Sequence, residues 1–191
     1  MRVSTQRCRI WQLGGSFSVG NMIASVPYKS QEDSDAHHYR NDCGPACAAM
    51  VLEWAGKGPV TIDALSGETS LAAQDNGLSC GAVVALLARN GVTARLNTVS
   101  TLFDVFAEIM AGRPVIALIG YAAIKERENQ RDGAGHFVVV VGYDDTRVYL
   151  NDPDWWGAQR DHGAGLAVSL AEFAVALRVS PAPNSAIFVV S

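Results

Sequence analysis

Asn41-Asp42-Cys43-Gly44-Pro45-Ala46-Cys47-Ala48-Ala49-Met50 decides how this chain is read. A cysteine is followed by a Gly-Pro pair, and the pair by a run of small apolar residues. Proline fits the first helical turn, where its missing N–H leaves no hydrogen bond unmade. The pattern predicts a helix over residues 43–54, stopped at Gly56. A thiol at a helix N-terminus feels the positive end of the helix dipole, and its thiolate form is favoured. The stretch therefore reads as a place where a cysteine becomes a nucleophile. Without that turn Cys43 would read as a small buried hydrophobe. Cys47, one helical turn on, has the same general face but lies deeper, and it reads as a core residue.

A second segment answers the first from far downstream. Gly135-His136-Phe137-Val138-Val139-Val140-Val141-Gly142-Tyr143 reads as a strand that begins with a histidine. Residues 146–151 read as the returning strand, and the Asp144-Asp145 turn makes the two a hairpin. His136 and Asp152 are almost equally far from that turn. They belong at the same open end of the hairpin, within side-chain reach if the register permits. Cysteine, histidine and acid then form a nucleophile, base and orienter set. Asn151 and Asp154 compete with Asp152 as orienter. Strand alternation turns Asn151 away if Asp152 points in, and Asp152-Pro153 also reads as a plain turn starter.

Val26-Pro27-Tyr28-Lys29-Ser30-Gln31, the Asp42-to-Ala46 stretch, the Gly135-to-Tyr143 strand and Leu150-Asn151-Asp152-Pro153 follow in that order. Together they resemble the bacteriocin-processing (double-glycine-leader) peptidase-like family of papain-like cysteine peptidases. The resemblance runs over residues 26–154. It implies Cys43 as nucleophile, His136 as general base, Asp152 as orienter and Gln31 as oxyanion-hole donor. It implies an α+β papain-like fold, with an N-terminal cysteine helix packed on an antiparallel sheet that carries the histidine and the aspartate. It also implies a peptide or protein substrate and no metal or organic cofactor. A polar loop over residues 32–42, with His37 and His38, separates Gln31 from Cys43. Gln31 reads otherwise as a loop glutamine.

Length and composition suit one domain. The chain has 191 residues, 49% hydrophobic and 18% charged, enough to bury a sizeable core. The net charge is −4, with no lysine or arginine cluster, which disfavours nucleic acid as partner. No stretch approaches the roughly 20 apolar residues of a membrane span. No apolar core follows Arg2, Arg7 and Arg9, so a signal peptide is not supported and a cytoplasmic location is expected. Cys8, Cys43, Cys47 and Cys80 are too few for a disulfide scaffold, and their spacing does not suit the common zinc sites. Reduced thiols are the simpler reading.

Residues 1–24 read as an N-terminal arm or extra strand, with a strand around residues 7–13, and residues 25–191 as the peptidase domain. Further helices are expected over residues 61–65, 79–89, 101–112 and 169–177, each opened by a serine or threonine cap. Strands are expected over residues 93–97, 114–119 and 186–190. Residues 121–135 read as a polar loop, and His162 as surface in a glycine-rich loop. Trp155 and Trp156 read either as a roof over the histidine or as a buried structural pair. Two other functions share the motifs. The same triad serves transglutamination, glutamine deamidation and other acyl transfer, and a binding module would leave it unused.

Overall fold

The computed structural model describes residues 21–22, 26–32, 41–69, 77–125, 135–155 and 157–190. Three helices follow one another in the first half of the chain: α1 (Cys43–Trp54), α2 (Ile62–Glu68) and α3 (Cys80–Arg89). The cysteine helix begins and ends where the sequence predicts. It is buried from Gly44 through Leu52, as an all-apolar helix must be. Gly44 lies in close packing with Leu78 and Val83, which holds the start of α1 against the neighbourhood of α3.

Caps set the remaining helix starts. Thr61 Oγ1 accepts from the Ala64 N–H at 3.2 Å, and Ser79 Oγ from the Ala82 N–H at 3.2 Å. Helix α4 (Leu102–Met110) opens on a capping box of Thr101 and Asp104, and α5 (Leu170–Arg178) on Ser169. Each cap satisfies backbone donors that the first turn leaves without helical partners. Gly91, at φ +79°, closes α3 in the left-handed conformation that favours glycine.

The strands form one antiparallel sheet. Strands β2 (Ala94–Asn97), β3 (Val115–Gly120), β4 (Gly135–Tyr143), β5 (Arg147–Asn151), β6 (Leu166–Ser169) and β7 (Ala186–Val189) run in the order β2-β7-β3-β4-β5-β6. A two-residue strand β1 (Asn21–Met22) pairs with Tyr143 and Gly142 of β4. Strands β3 and β4 lie at the centre, and their near-continuous Val and Ile content matches burial on both faces. On one face Ile116, Leu118, Phe137, Val139 and Ile187 pack under α1, α2 and α3. On the other, Val115, Ala117, Val138, Val140 and Phe188 pack under α4 and α5. Helices on both sides of an antiparallel sheet make this an α+β fold.

Two segments differ from expectation. The glycine-rich stretch after His162 contains strand β6, which pairs with β5 and buries Val168 beside Phe173. Four residues between glycines and a helix cap are too short a period for the alternation to be read. The predicted polar loop after β3 opens instead with a 3-10 turn, Tyr121–Ala123, whose tyrosine is buried. The possible strand over residues 7–13, together with Cys8, His37, His38 and Trp156, lies outside the described residues.

Candidate active site

The register of the β4–β5 hairpin brings His136 and Asp152 together. Val139 faces Asn151 across the ladder, so Asp152 leaves β5 level with Val138, two residues along β4 from His136. His136 Nε2 lies 2.7 Å from Asp152 Oδ1, and the two residues are only 4% and 1% exposed. A carboxylate can only accept, so Nε2 carries the hydrogen and Nδ1 is the basic nitrogen. The same Oδ1 accepts from the backbone N–H of Asp154 at 3.1 Å. The backbone of Asp152 is held as well: its N–H donates to the Gly163 carbonyl at 2.9 Å, and its carbonyl accepts from the Tyr28 hydroxyl at 3.0 Å. Gly163 has no room for a side chain there, because a Cβ would run into the Asp152 carbonyl, the Tyr28 hydroxyl and the Trp155 ring.

Cys43 is the first residue of α1 and is partly exposed. Its sulfur takes backbone hydrogen bonds from Phe137, the residue after His136, and from Gly44. Helix start and strand start therefore meet at the thiol. Burial nevertheless pushes the thiol up to about 11; the two amides pull against it, and the charges of Asp154 and Asp152 add to it. The dipole argument predicts the opposite direction. A helix terminus supplies only about half a charge, and here that is less than the cost of desolvating a thiolate. Cys47 is fully buried, and burial raises its thiol too. It is the core residue the sequence suggests.

Gln31 comes into the site despite the loop that separates it from Cys43. Residues 26–32 lie along residues 151–155. The Gln31 N–H donates to the Pro153 carbonyl at 2.8 Å, and Ser30 Oγ donates to the Trp155 carbonyl at 2.5 Å. Gln31 itself is 2% exposed, and its Nε2 donates to Asp154 Oδ1 at 3.3 Å. Asn151 faces this arm rather than the imidazole. Its Nδ2 lies 3.4 Å from the Val26 carbonyl, and its Oδ1 accepts from the Gly165 N–H at 3.0 Å. Asp154, the other competing acid, is bound to Gln31 and to the Tyr121 hydroxyl. Burial, with Glu32 nearby, raises its carboxyl to about 7.

Tyr121 is the residue that sequence reasoning missed. Its ring stands edge-on to the imidazole, with centroids 4.4 Å apart and planes at 80°. An aromatic directly after an apolar strand was the available signal, but its place at the head of a charged loop hid it. Trp155 is buried and meets the His162 ring at 5.5 Å.

The sequence profile of the Peptidase_C39 like family matches residues 23–165. The chain belongs to this family. It is a hydrolase, a cysteine peptidase of papain-like fold. Among curated proteins none matches. Solved structures do. A protein of Bacillus anthracis described as a C39-like peptidase has 18% identity and a TM-score of 0.68, covering 90% of this chain and 98% of its own. The peptidase domain of Streptococcus ComA, a bifunctional ABC transporter of a quorum-sensing pathway, has 21% identity and a TM-score of 0.60, covering 86% and 97%. A double-glycine-motif protease from an AMS/PCAT transporter, solved with its leader peptide, has 19% identity and a TM-score of 0.56, covering 88% and 94%. At these identities the likeness establishes the fold. Among the described residues no helix is long and apolar enough to cross a membrane.

Proposed function

We propose that the chain hydrolyses a peptide bond through Cys43, His136, Asp152 and Gln31. The observation that carries this is the buried 2.7 Å pair of His136 and Asp152, with the sulfur of Cys43 hydrogen-bonded to the backbone of Phe137, the residue after His136. His136 Nδ1 takes the thiol proton as sulfur attacks the carbonyl carbon. The resulting oxyanion receives the Cys43 backbone N–H and the Gln31 amide, donors fixed before charge develops. As the C–N bond breaks, the imidazolium returns the proton to the leaving amine. Water, activated by the same Nδ1, then attacks the thioester and releases the acid and the thiol. Asp152 keeps the ring in one tautomer throughout.

Because burial raises the isolated thiol, the imidazole does more here than accept a proton: as imidazolium it offsets the cost of the thiolate. A peptide with small residues before the cut is the substrate class we favour, since one structurally similar protein is a double-glycine-motif protease in complex with the leader peptide. We assign the catalytic unit to residues 25–191. A cytoplasmic, reducing setting fits the free thiols of Cys43, Cys47 and Cys80. The test is hydrolysis of a panel of fluorogenic peptides ending in Gly-Gly, Gly-Ala or bulky pairs. Turnover abolished by Cys43→Ala, with the fold retained, supports the reading. Turnover that survives Cys43→Ala refutes it.

A further inference from the structure

The carboxyl of Asp154 has no part in the triad, yet it is only 7% exposed and stands between two pieces of the site. On one side its Oδ1 accepts from Gln31 Nε2 at 3.3 Å. On the other its Oδ2 meets the hydroxyl of Tyr121, whose ring packs on His136 at 4.4 Å. Its own backbone N–H donates to the oxygen of Asp152 that holds the imidazole. We infer that Asp154 is a positioning residue of the peptidase site, fixing the Gln31 amide for the oxyanion and the Tyr121 ring against the imidazole. This rests on the role of Gln31 given above.

The chemistry of an amide explains why an acceptor is needed. Gln31 Nε2 carries two hydrogens. If Oδ1 of Asp154 takes one, the other points in a fixed direction and can meet the oxyanion without reorganisation. A glutamine without that acceptor would turn about its last torsion, which is broad. The charge state matters as well. A carboxylate beside the oxyanion donor would oppose the charge that develops there, whereas a neutral carboxyl offers the same acceptor oxygen without it. Burial and Glu32 raise Asp154 to about 7, so below that pH the neutral form prevails. The titratable groups around it are Glu32 on the 26–32 arm, Cys43 on α1, Tyr121 after β3, His136 on β4 and Asp152 on its own loop.

Asp154→Asn reproduces the neutral form: its oxygen accepts from Gln31, and its amide donates to the tyrosine oxygen. Asp154→Ala removes both contacts. Both variants, Gln31→Ala and the Gln31→Ala/Asp154→Ala double variant are compared with wild type on the best peptide found above. Thermal melts serve as the check on folding. The inference expects Asp154→Ala to lower kcat about tenfold or more with KM within about threefold. Labelling of Cys43 by iodoacetamide at pH 6, where Asp154 is mostly neutral, should stay within about threefold, because thiol activation lies with His136. Asp154→Asn should keep kcat at pH 6 within about threefold and lose the alkaline fall of kcat near pH 7. In the Gln31→Ala background, Asp154→Ala should cost little more, since a residue acting through another is not additive with it.

Additive losses in the double variant overturn the inference, as does an Asp154→Ala variant with unchanged kcat. So does Asp154→Asn falling as far as Asp154→Ala while melting like wild type. If wild type and Cys43→Ala turn over alike, it is the proposed function that fails, and the two failures are distinct.

Discussion

The dependence of the Cys43 thiolate on His136 can be put in numbers. Burial, the two backbone amides and the charges of Asp154 and Asp152 put the thiol at about 11 with no contribution from an imidazolium. In His136→Ala at pH 7 the thiolate is then about 1 part in 10⁴. A unit positive charge placed about 4 Å from a thiolate, at an effective dielectric of about 20, favours it by about 4 kcal/mol. That is about three pKa units, or about a thousandfold in thiolate at a given pH. The thiolate fraction therefore falls about a thousandfold in the variant. The remaining thiolate is more basic and so about twentyfold more reactive, and the net loss of alkylation rate is about fiftyfold. The assay is iodoacetamide labelling of Cys43, read by peptide mass spectrometry from pH 6 to pH 10, with circular dichroism as the check on folding. The rate in His136→Ala should climb about tenfold per pH unit throughout, while the wild-type rate should climb less steeply because the imidazolium already supplies thiolate at low pH. Rates at pH 7 that agree within about threefold would refute the reasoning.

Three further outcomes are expected. Gly163→Ala drives a methyl into the Asp152 carbonyl and the Tyr28 hydroxyl. It should destabilise by about 1–3 kcal/mol and displace Asp152, so a thermal melt and a kcat measured together that match wild type would contradict the close approach. Cys47→Ala should label at Cys43 at the wild-type rate and retain turnover, since Cys47 is wholly buried core; an inactive but folded variant would make Cys47 part of the nucleophile. Thr101→Ala breaks the capping box of α4, which packs on the sheet face opposite α1. It should cost about 1 kcal/mol in urea unfolding with kcat unchanged, and a fall in kcat would mean that α4 couples to the site.

Much of the fold was legible because it is written in short-range patterns. The Cys-Gly-Pro turn and the apolar run after it set both ends of α1. Serine and threonine caps named the starts of the later helices, and the Val-rich runs named β3 and β4. Strand β6 escaped because four residues are too few to show a period, and Tyr121 escaped because its burial depends on what folds over it. Gln31 was legible only through the resemblance. Nothing local says that residues 26–32 will be stitched along residues 151–155, more than a hundred positions away.

The sequence by itself determined that a cysteine opens a helix, that a histidine opens a strand, and that Asp152 ends the returning strand at the same end of the hairpin. Spacing along one chain is enough for that, since helix caps and hairpin register are local. Only the tertiary structure decided which nitrogen of His136 meets Asp152, which of the neighbouring acids joins the imidazole and which joins Gln31, and how acidic the thiol is. Those outcomes depend on desolvation and on charges brought near by packing, and neither is a property of a residue's place in the sequence.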